Sequence, residues 1–279
     1  MSIPRDKRTL CRPETSGVSR QNLQPVLADG PAVQAKALSG TAALEAAIDE
    51  ARQRFPAGLE QPEGSFRFSM DALLLARFGL ECLARSSGGE AAPRFADLGA
   101  GCGVVGLALL LWGTDALRGI GIEREAVLVQ AARVNARRLG FAGRYAIVCR
   151  DVADVPGVAG LARRARLVLA NPPWLLRQQC RVSPAPLRQA ALVGDKTTFP
   201  CFMEAAAALL EEHGRVAMVT AAERRDDALA ALRGAGLFPY RLCRITTRAG
   251  LPARRLLLEG GLHPGLWHEE VRCVHDMPL

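Results

Sequence analysis

The sequence contains few lysines and has no apolar run long enough to cross a membrane. Only three of the 36 basic residues in this 279-residue chain are lysines, and the other 33 are arginines. No stretch of 18 consecutive apolar residues occurs. The amino terminus, MSIPRDKRTLCRPETSG, carries charges and prolines where a signal peptide needs a continuous apolar core. We therefore expect a cytoplasmic protein and no membrane association.

Paired cysteines are also missing. The eight cysteines show no C-x-x-C spacing, and the chain is too long to be a small secreted scaffold held by disulfides. We expect reduced thiols that are mostly buried. A group near the carboxyl terminus matches no established zinc module, so we predict no metal site; its members are His263, His268, Cys273 and His275.

The net charge of +8 favours a polyanionic partner such as nucleic acid or an acidic substrate. The arginine skew is also what a GC-rich genome produces without selection for binding. The charge by itself therefore does not show whether the protein binds a polyanion, and sequence motifs are needed to decide this.

The chain divides into four predicted segments. Residues 1–38 are rich in Pro, Arg, Gln and Ser and predict a flexible arm. Residues 39–90 contain a helix at about 42–55, a short extended segment, and a second helix from about Asp71. Residues 91–260 form the main domain, and residues 261–279 follow as an irregular tail.

The main domain alternates between strands and helices. The apolar runs RFADL, GIGIE, YAIVC, ARLVLA and RVAMVT are separated by helical patterns, which is typical of a parallel sheet with helices on both faces. Two further runs, PYRLCRITTRAG and LPARRLLLEG, have no helix between them and predict an antiparallel hairpin. The predicted fold is α/β, with a Rossmann-like, mostly parallel sheet of seven strands.

A glycine-rich loop follows the first strand of this domain. In ADLGAGCGVVG, Asp97 precedes Gly99, Gly101 and Gly103, and the spacing from Gly101 to Gly106 also satisfies G-x-G-x-x-G. That pattern fits a dinucleotide such as NAD. A carboxylate at Asp97 would repel a pyrophosphate, but it can accept hydrogen bonds through water from an amino acid's ammonium group. S-adenosylmethionine carries that ammonium and no phosphate, so we favour it as the cofactor.

Two more acids end the next two strands. Glu123 lies 24 residues beyond Gly99, where a carboxylate can accept both hydroxyls of a ribose in either cofactor. Asp151 follows the third strand and can accept from an adenine amino group. Each acid taken singly is as readily a loop residue or a helix cap. Three acids at the ends of three consecutive strands instead predict a ligand site at the carboxyl edge of the sheet.

The fourth strand ends in Asn171-Pro172-Pro173-Trp174. The Asn171 side chain and the Pro172 carbonyl can accept both hydrogens of a planar amino group. Pro173 makes the loop rigid, and Trp174 offers a face for stacking on the attached ring. Such hydrogen bonds restore lone-pair character to the nitrogen and prepare it as a nucleophile. The alternative is an ordinary strand end followed by a core tryptophan.

The glycine loop, Glu123, Asp151 and N-P-P-W together resemble the class I S-adenosylmethionine-dependent methyltransferases that act on amino groups, over residues 58–260. Their usual signature is N-P-P-Y or N-P-P-F, so Trp174 is a departure. GLEQPEGSFRFSMDALLLARF is similar to a segment of bacterial tRNA (adenine-N6)-methyltransferases that modify the adenine beside the anticodon of a valine tRNA. The shared positions are Arg67, Phe68, Ser69, Asp71, Leu74, Leu75 and Ala76.

This resemblance implies an enzyme that methylates adenine N6 in RNA, most naturally tRNA. It also implies that Asp71 helps to close the cofactor pocket, whereas the residue pattern equally allows Asp71 to cap its helix. Two alternatives keep the same chemistry: methylation of a protein glutamine, or of a guanine amino group in rRNA. A non-catalytic RNA-binding protein and an NAD-dependent oxidoreductase are the other hypotheses.

Overall fold

The computed structural model describes residues 38–65, 67–86, 94–158, 160–173, 175–176, 193–248 and 250–274. The predicted arm at 1–38 lies outside these residues except for its last position, and Trp174 lies outside them as well.

The described helices and strands alternate along most of the chain. The helices are α1 (Leu38–Gln53), α2 (Met70–Arg85), α3 (Val104–Trp112), α4 (Ala126–Arg138), α5 (Thr198–Leu209) and α6 (Arg225–Gly234), with 3-10 turns at Val152–Gly157 and Ala222–Arg224. The strands are β1 (Arg94–Leu98), β2 (Arg118–Glu123), β3 (Tyr145–Cys149), β4 (Ala165–Ala170), β5 (Leu175–Leu176), β6 (Val193–Gly194), β7 (Leu210–Ala221), β8 (Phe238–Thr246), β9 (Arg255–Gly261) and β10 (His268–Cys273).

The main sheet has the strand order β10-β8-β9-β7-β4-β1-β2-β3. β9 runs antiparallel to both β7 and β8, and the remaining neighbours in this sheet are parallel. The predicted mostly parallel sheet with an antiparallel C-terminal pair is thus confirmed. β5 and β6 form a separate two-residue parallel pair next to the end of β4.

The sheet contains eight strands rather than the predicted seven. We predicted an irregular tail from residue 261, but β10 forms within it and pairs in parallel with β8. Backbone pairing with β8 and ion pairs hold this strand, with little apolar burial: Arg272 lies 2.7 Å from Glu81 on α2, and Glu270 lies 3.3 Å from Arg241 on β8. A strand held by charges lacks the apolar alternation that identifies strands in a sequence.

Helices cover both faces of the sheet, and β4 shows why. Leu167 and Leu169 belong to the apolar cluster beneath α2, α3 and α4, whereas Val168 and Ala170 belong to the cluster beneath α5 and α6. A strand buried on both faces reads as a continuous apolar run, as ARLVLA does. This central strand carries the chain directly to Asn171.

The described cysteines follow the expectation in part. Cys82, Cys102, Cys201, Cys243 and Cys273 are free thiols, and the first, second and fourth of these are buried. Cys149 is disulfide-bonded, so the expectation of a reduced thiol is wrong there. Disulfide pairing depends on which cysteines meet in space, and their spacing in the sequence does not show this.

Candidate functional site

The register of the parallel strands brings most of the candidate residues to one edge. Leu98 pairs with Ile122 on one side and with Ala170 on the other, and Glu123 pairs with Cys149. The residues that follow these strands therefore begin at the same level of the sheet. The glycine loop, Glu123, Asp151 and Asn171 share the carboxyl edge, as predicted for parallel strands.

The glycine loop adopts a backbone that other residues rarely adopt. Gly99, Gly101 and Gly103 have φ angles of 68°, 58° and 88°. Gly99 N–H donates to the Ile122 carbonyl at 2.9 Å, which ties the start of the loop to β2. A Cβ built on Gly101 would meet no atom within 4 Å, so the loop borders open space there. That open backbone is what a cofactor approaching the loop requires.

Asp97 lies beneath this loop and is almost completely buried. Its Oδ2 accepts from Gly106 N–H at 3.0 Å, in the first turn of α3, and from the Tyr145 hydroxyl at 2.9 Å. Burial raises the pKa of Asp97 to about 7, although these two donors act in the opposite direction. The carboxyl group therefore links β1, β3 and α3. Its predicted contact with an ammonium group through water stays a prediction.

Tyr145 was not among the residues predicted from the sequence. A Cβ on Gly106 would lie 2.4 Å from its ring, and a Cβ on Gly121 would lie 2.7 Å from its hydroxyl oxygen. Gly106 is therefore needed to make room for an aromatic ring, independently of any phosphate. The available signal was a tyrosine at the start of β3, one of only two in the chain, beside strands and turns rich in glycine.

Glu123 is buried at the end of β2 and is held by backbone donors. Its Oε2 accepts from Gly101 N–H and its Oε1 from Glu125 N–H, each at 2.9 Å. Burial raises the pKa of Glu123 despite these two hydrogen bonds. A carboxylate offers about four acceptor positions, so two remain for hydroxyl groups of a ligand.

Asp151 follows β3 and is half-exposed. Its Oδ1 accepts from Ala153 N–H at 3.0 Å and caps the 3-10 turn, while its Oδ2 lies 3.5 Å from Arg124 Nη1. The structure thus contains the capping arrangement that the sequence allowed. Recognition of an adenine amino group by Asp151 stays a prediction.

Asp71 does not cap its helix. Ser69 occupies the N-cap position of α2, and Asp71 Oδ1 instead accepts from Arg255 Nε at 2.9 Å. Because β9 is antiparallel, its first residue, Arg255, lies at the carboxyl edge of the sheet. The ion pair joins the start of α2 to that edge. The capping alternative is therefore wrong, and a role in closing the pocket stays a prediction.

The acceptor loop, which we define as Asn171–Pro173, leaves β4 at the same edge. Asn171 and Pro173 are half-buried and Pro172 is buried. Trp174, predicted to stack on the substrate, lies outside the described residues. The chain then enters β5, which pairs with β6 immediately before α5.

A buried asparagine on α4 connects the segment before α2 to the glycine loop. Asn135 Oδ1 accepts from Glu60 N–H at 2.7 Å, and its Nδ2 donates to the carbonyls of Glu60 and Cys102, each at 3.0 Å. Asn135 was not among the residues predicted from the sequence. The signal was an uncharged polar side chain on the apolar face of an amphipathic helix.

No group of three or more His, Cys, Asp or Glu residues in the described part of the chain is arranged to hold a metal ion. None of the helices in the described ranges has both the length and the apolar character needed to span a bilayer. A cavity of about 460 Å³, lined by Arg215, Tyr240 and His263, lies at the opposite edge of the sheet from the acceptor loop.

The fold and the loops at the carboxyl edge of the sheet are those of a methyltransferase domain. The family described as "RMKL-like, methyltransferase domain" matches residues 39–240, and this chain belongs to it. The predicted methyltransferase is therefore confirmed.

The chain is also similar to individual proteins of known name or structure. The chain is 25% identical over 185 residues to the tRNA1(Val) (adenine(37)-N6)-methyltransferase of Tolumonas auensis, covering 66% of this chain and 75% of that protein. It is 27% identical over 205 residues to the protein of the same name from Porphyromonas gingivalis, covering 72% and 76%. A solved structure described as a predicted O-methyltransferase from Agrobacterium tumefaciens shares the fold, with a TM-score of 0.53, 21% identity, and coverage of 74% of this chain and 87% of that one.

Proposed function

We propose that this protein transfers a methyl group from S-adenosylmethionine to the N6 amino group of an adenine in tRNA. The observation that carries the proposal is the strand register, which brings an open glycine loop, a buried carboxylate and Asn171 to one edge of the sheet. The names of the two relatives supply the substrate class. Because tRNA resides in the cytoplasm, we place the activity there.

The residues at this edge suit S-adenosylmethionine. Gly101 borders open space, and Glu123 retains acceptor capacity for two ribose hydroxyls. We assign the ammonium group to Asp97 through water, the adenine amino group to Asp151, and closure of the pocket to Asp71. Gly99 and Gly103 shape the loop around the cofactor. When bound, the cofactor supplies an electrophilic methyl group on a sulfonium centre.

Asn171 and Pro172 orient the acceptor. The Asn171 amide oxygen and the Pro172 carbonyl oxygen each accept a hydrogen bond from one N–H of the adenine amino group. These hydrogen bonds restore lone-pair character to the amino nitrogen. Pro173 fixes the loop, and Trp174 stacks on the base. Holding the nitrogen in line with the methyl group contributes on the order of 7 kcal/mol or more through proximity. The methylated nitrogen is acidic enough to release its proton to water, so no side chain needs to act as a general base.

An adenine inside a tRNA loop must leave its stack to reach this site. Sequence-specific RNA recognition commonly uses bases that are splayed out of loops and stacked on aromatic side chains. The two amino-group alternatives, a protein glutamine and an rRNA guanine, would use the same acceptor loop. They differ only in what must fit beside it.

The test is to incubate the protein with labelled S-adenosylmethionine and separate pools of tRNA, rRNA and release factor. We expect label in tRNA, recovered as N6-methyladenosine after digestion. Label found only in protein or only in rRNA guanine would replace our substrate with one of the alternatives. Failure to bind the cofactor in calorimetry would exclude the proposed chemistry.

A further inference from the structure

The start of α5 lies between the acceptor loop and the glycine loop. It follows β6, which pairs with β5 just beyond the acceptor loop, and the helix then packs toward β1 and β4. Its side chains Phe199 and Met203 are buried in the core, so the helix is firmly anchored. Because the helix moves as one rigid element, a displacement of β6 at its start would be transmitted to the part of α5 that packs toward β1.

Gly194 fills the narrow space between the acceptor loop and α5. A Cβ at this position would lie 2.6 Å from the Pro173 carbonyl oxygen and 2.8 Å from Thr198 Oγ1. Both distances are shorter than real Cβ contacts. The close approach of β6 to the acceptor loop is therefore possible only without a side chain at Gly194.

The turn after Gly194 is fixed by its own hydrogen bonds. Asp195 N–H donates to Thr198 Oγ1 at 2.9 Å, and Asp195 Oδ1 accepts from Thr197 N–H at 2.9 Å and from Thr197 Oγ1 at 2.6 Å. This short network leaves the turn little freedom to yield if Gly194 acquires a side chain.

One turn further along, α5 contacts the glycine loop. The Phe202 ring lies against Gly99, where a Cβ would be 3.2 Å from Phe202 Cζ. Gly99 belongs to the glycine loop that we assign to the cofactor, and its N–H is bonded to the Ile122 carbonyl of β2. α5 thus touches the loop on the methyl-donor side and, through Gly194 and Thr198, the loop on the acceptor side.

We infer that Gly194, Thr198 and Phe202 form a brace that sets the distance between the acceptor loop and the glycine loop. They are positioning residues for methyl transfer and touch neither substrate nor cofactor. This inference rests on the proposed function. Its physical basis is that methyl transfer demands in-line geometry, and a displacement of about 1 Å can lower the rate about 100-fold.

The test compares Gly194→Ala with Gly234→Ala. Gly234 ends α6, has no positive φ, and would place a Cβ in open space, so it controls for the glycine-to-alanine change itself. In Gly194→Ala we expect kcat to fall at least about tenfold, toward the 100-fold expected of a 1 Å displacement. Cofactor Kd and KM for RNA should stay within about twofold of the control, and the melting temperature should stay within about 4 °C of it.

A double-mutant cycle with Thr198→Ala separates positioning from general damage. Thr198 supplies one of the two atoms that an alanine at Gly194 would meet, so removing its hydroxyl gives the new methyl group room. The combined loss in kcat should be smaller than the product of the two single losses, because residues in contact are coupled.

Three outcomes would overturn the brace: normal kcat in Gly194→Ala, a kcat loss matched by a loss of cofactor affinity or of melting temperature, or independent effects in the cycle. Kinetics are measured on whichever acceptor pool the wild-type protein labels. A wild-type protein that labels no amino acceptor refutes the proposed function instead, which keeps the two failures distinct.

Discussion

Asp97 depends on two donors that come from different elements. Gly106 N–H belongs to α3 and the hydroxyl of Tyr145 belongs to β3. Only the glycine loop around Asp97 could be predicted from the sequence, because its spacing is local. The contact with Tyr145 could not be predicted, since the two residues are 48 positions apart and β3 reaches β1 only across β2, which lies between them in the sheet.

Changing Tyr145→Phe should shift the pH dependence of cofactor binding. The ring would still fill the space beside Gly106, but Asp97 would lose a hydrogen bond that favours its charged form, so its pKa would rise further from about 7. The nearby Glu123 carboxylate also disfavours that charge. If ionised Asp97 binds the ammonium group, affinity rises as pH increases through the pKa, and the variant's midpoint lies at higher pH. Calorimetry between about pH 6 and 8.5 measures this, and an unmoved midpoint would contradict the assignment.

Asn135 is predicted to stabilise the segment that precedes α2. Replacing it with alanine leaves the N–H and carbonyl of Glu60 and the carbonyl of Cys102 without this partner. Buried polar groups left without partners cost about 1–3 kcal/mol, which should appear as a lower free energy of unfolding in urea. Gln130→Ala, on the exposed side of the same helix, is the matched control. Equal stability of the two variants would show that the hydrogen bonds of Asn135 contribute nothing to folding.

At the scale of elements, the sequence predicted the apolar strands and missed the charged one. ARLVLA is buried on both faces and is recognisable as a run of apolar residues, whereas HEEVRC has only Val271 and Cys273 as apolar side chains. Where β10 pairs with β8, Glu81 forms ion pairs with Arg241 and Arg272, which are far from it in the chain. No local pattern shows such a contact.

Glu81→Ala should loosen β10. Burial raises the pKa of Glu81, but hydrogen bonds from Arg272 and Arg241 outweigh it and hold that pKa below its ordinary value. Glu81 therefore contributes stability above its unfolded pKa, near 4.3, and this contribution is lost as the pH falls through the lower folded value. Because Glu81 is partly exposed, we expect a loss of about 1–2 kcal/mol at pH 7.

The control for Glu81 is Glu50→Ala. Glu50 faces Arg54 at 3.8 Å on an exposed helix surface, where an ion pair contributes little. Urea unfolding of both variants at pH 7 and pH 3 gives the comparison. A loss in Glu81→Ala that persists unchanged at pH 3 would contradict the electrostatic explanation.

At the scale of the whole molecule, the charge of +8 has a consequence that no single residue shows. If the substrate is a polynucleotide, binding releases counterions and weakens as salt increases. We expect KM for tRNA to rise steeply between about 50 and 200 mM salt, while cofactor Kd changes little. An RNA KM that does not depend on salt would argue for a protein acceptor. Steady-state kinetics at several salt concentrations measure both constants.

We propose that the acceptor loop directs methyl transfer to adenine N6 in tRNA. The most direct test of this proposal is mass spectrometry of tRNA nucleosides after reaction with wild-type protein and with Asn171→Ala, together with cofactor Kd for each. We expect N6-methyladenosine from the wild type, none from the variant, and cofactor affinities that agree within a few fold. N6-methyladenosine produced by Asn171→Ala, or a different methylated nucleoside from the wild type, would contradict it.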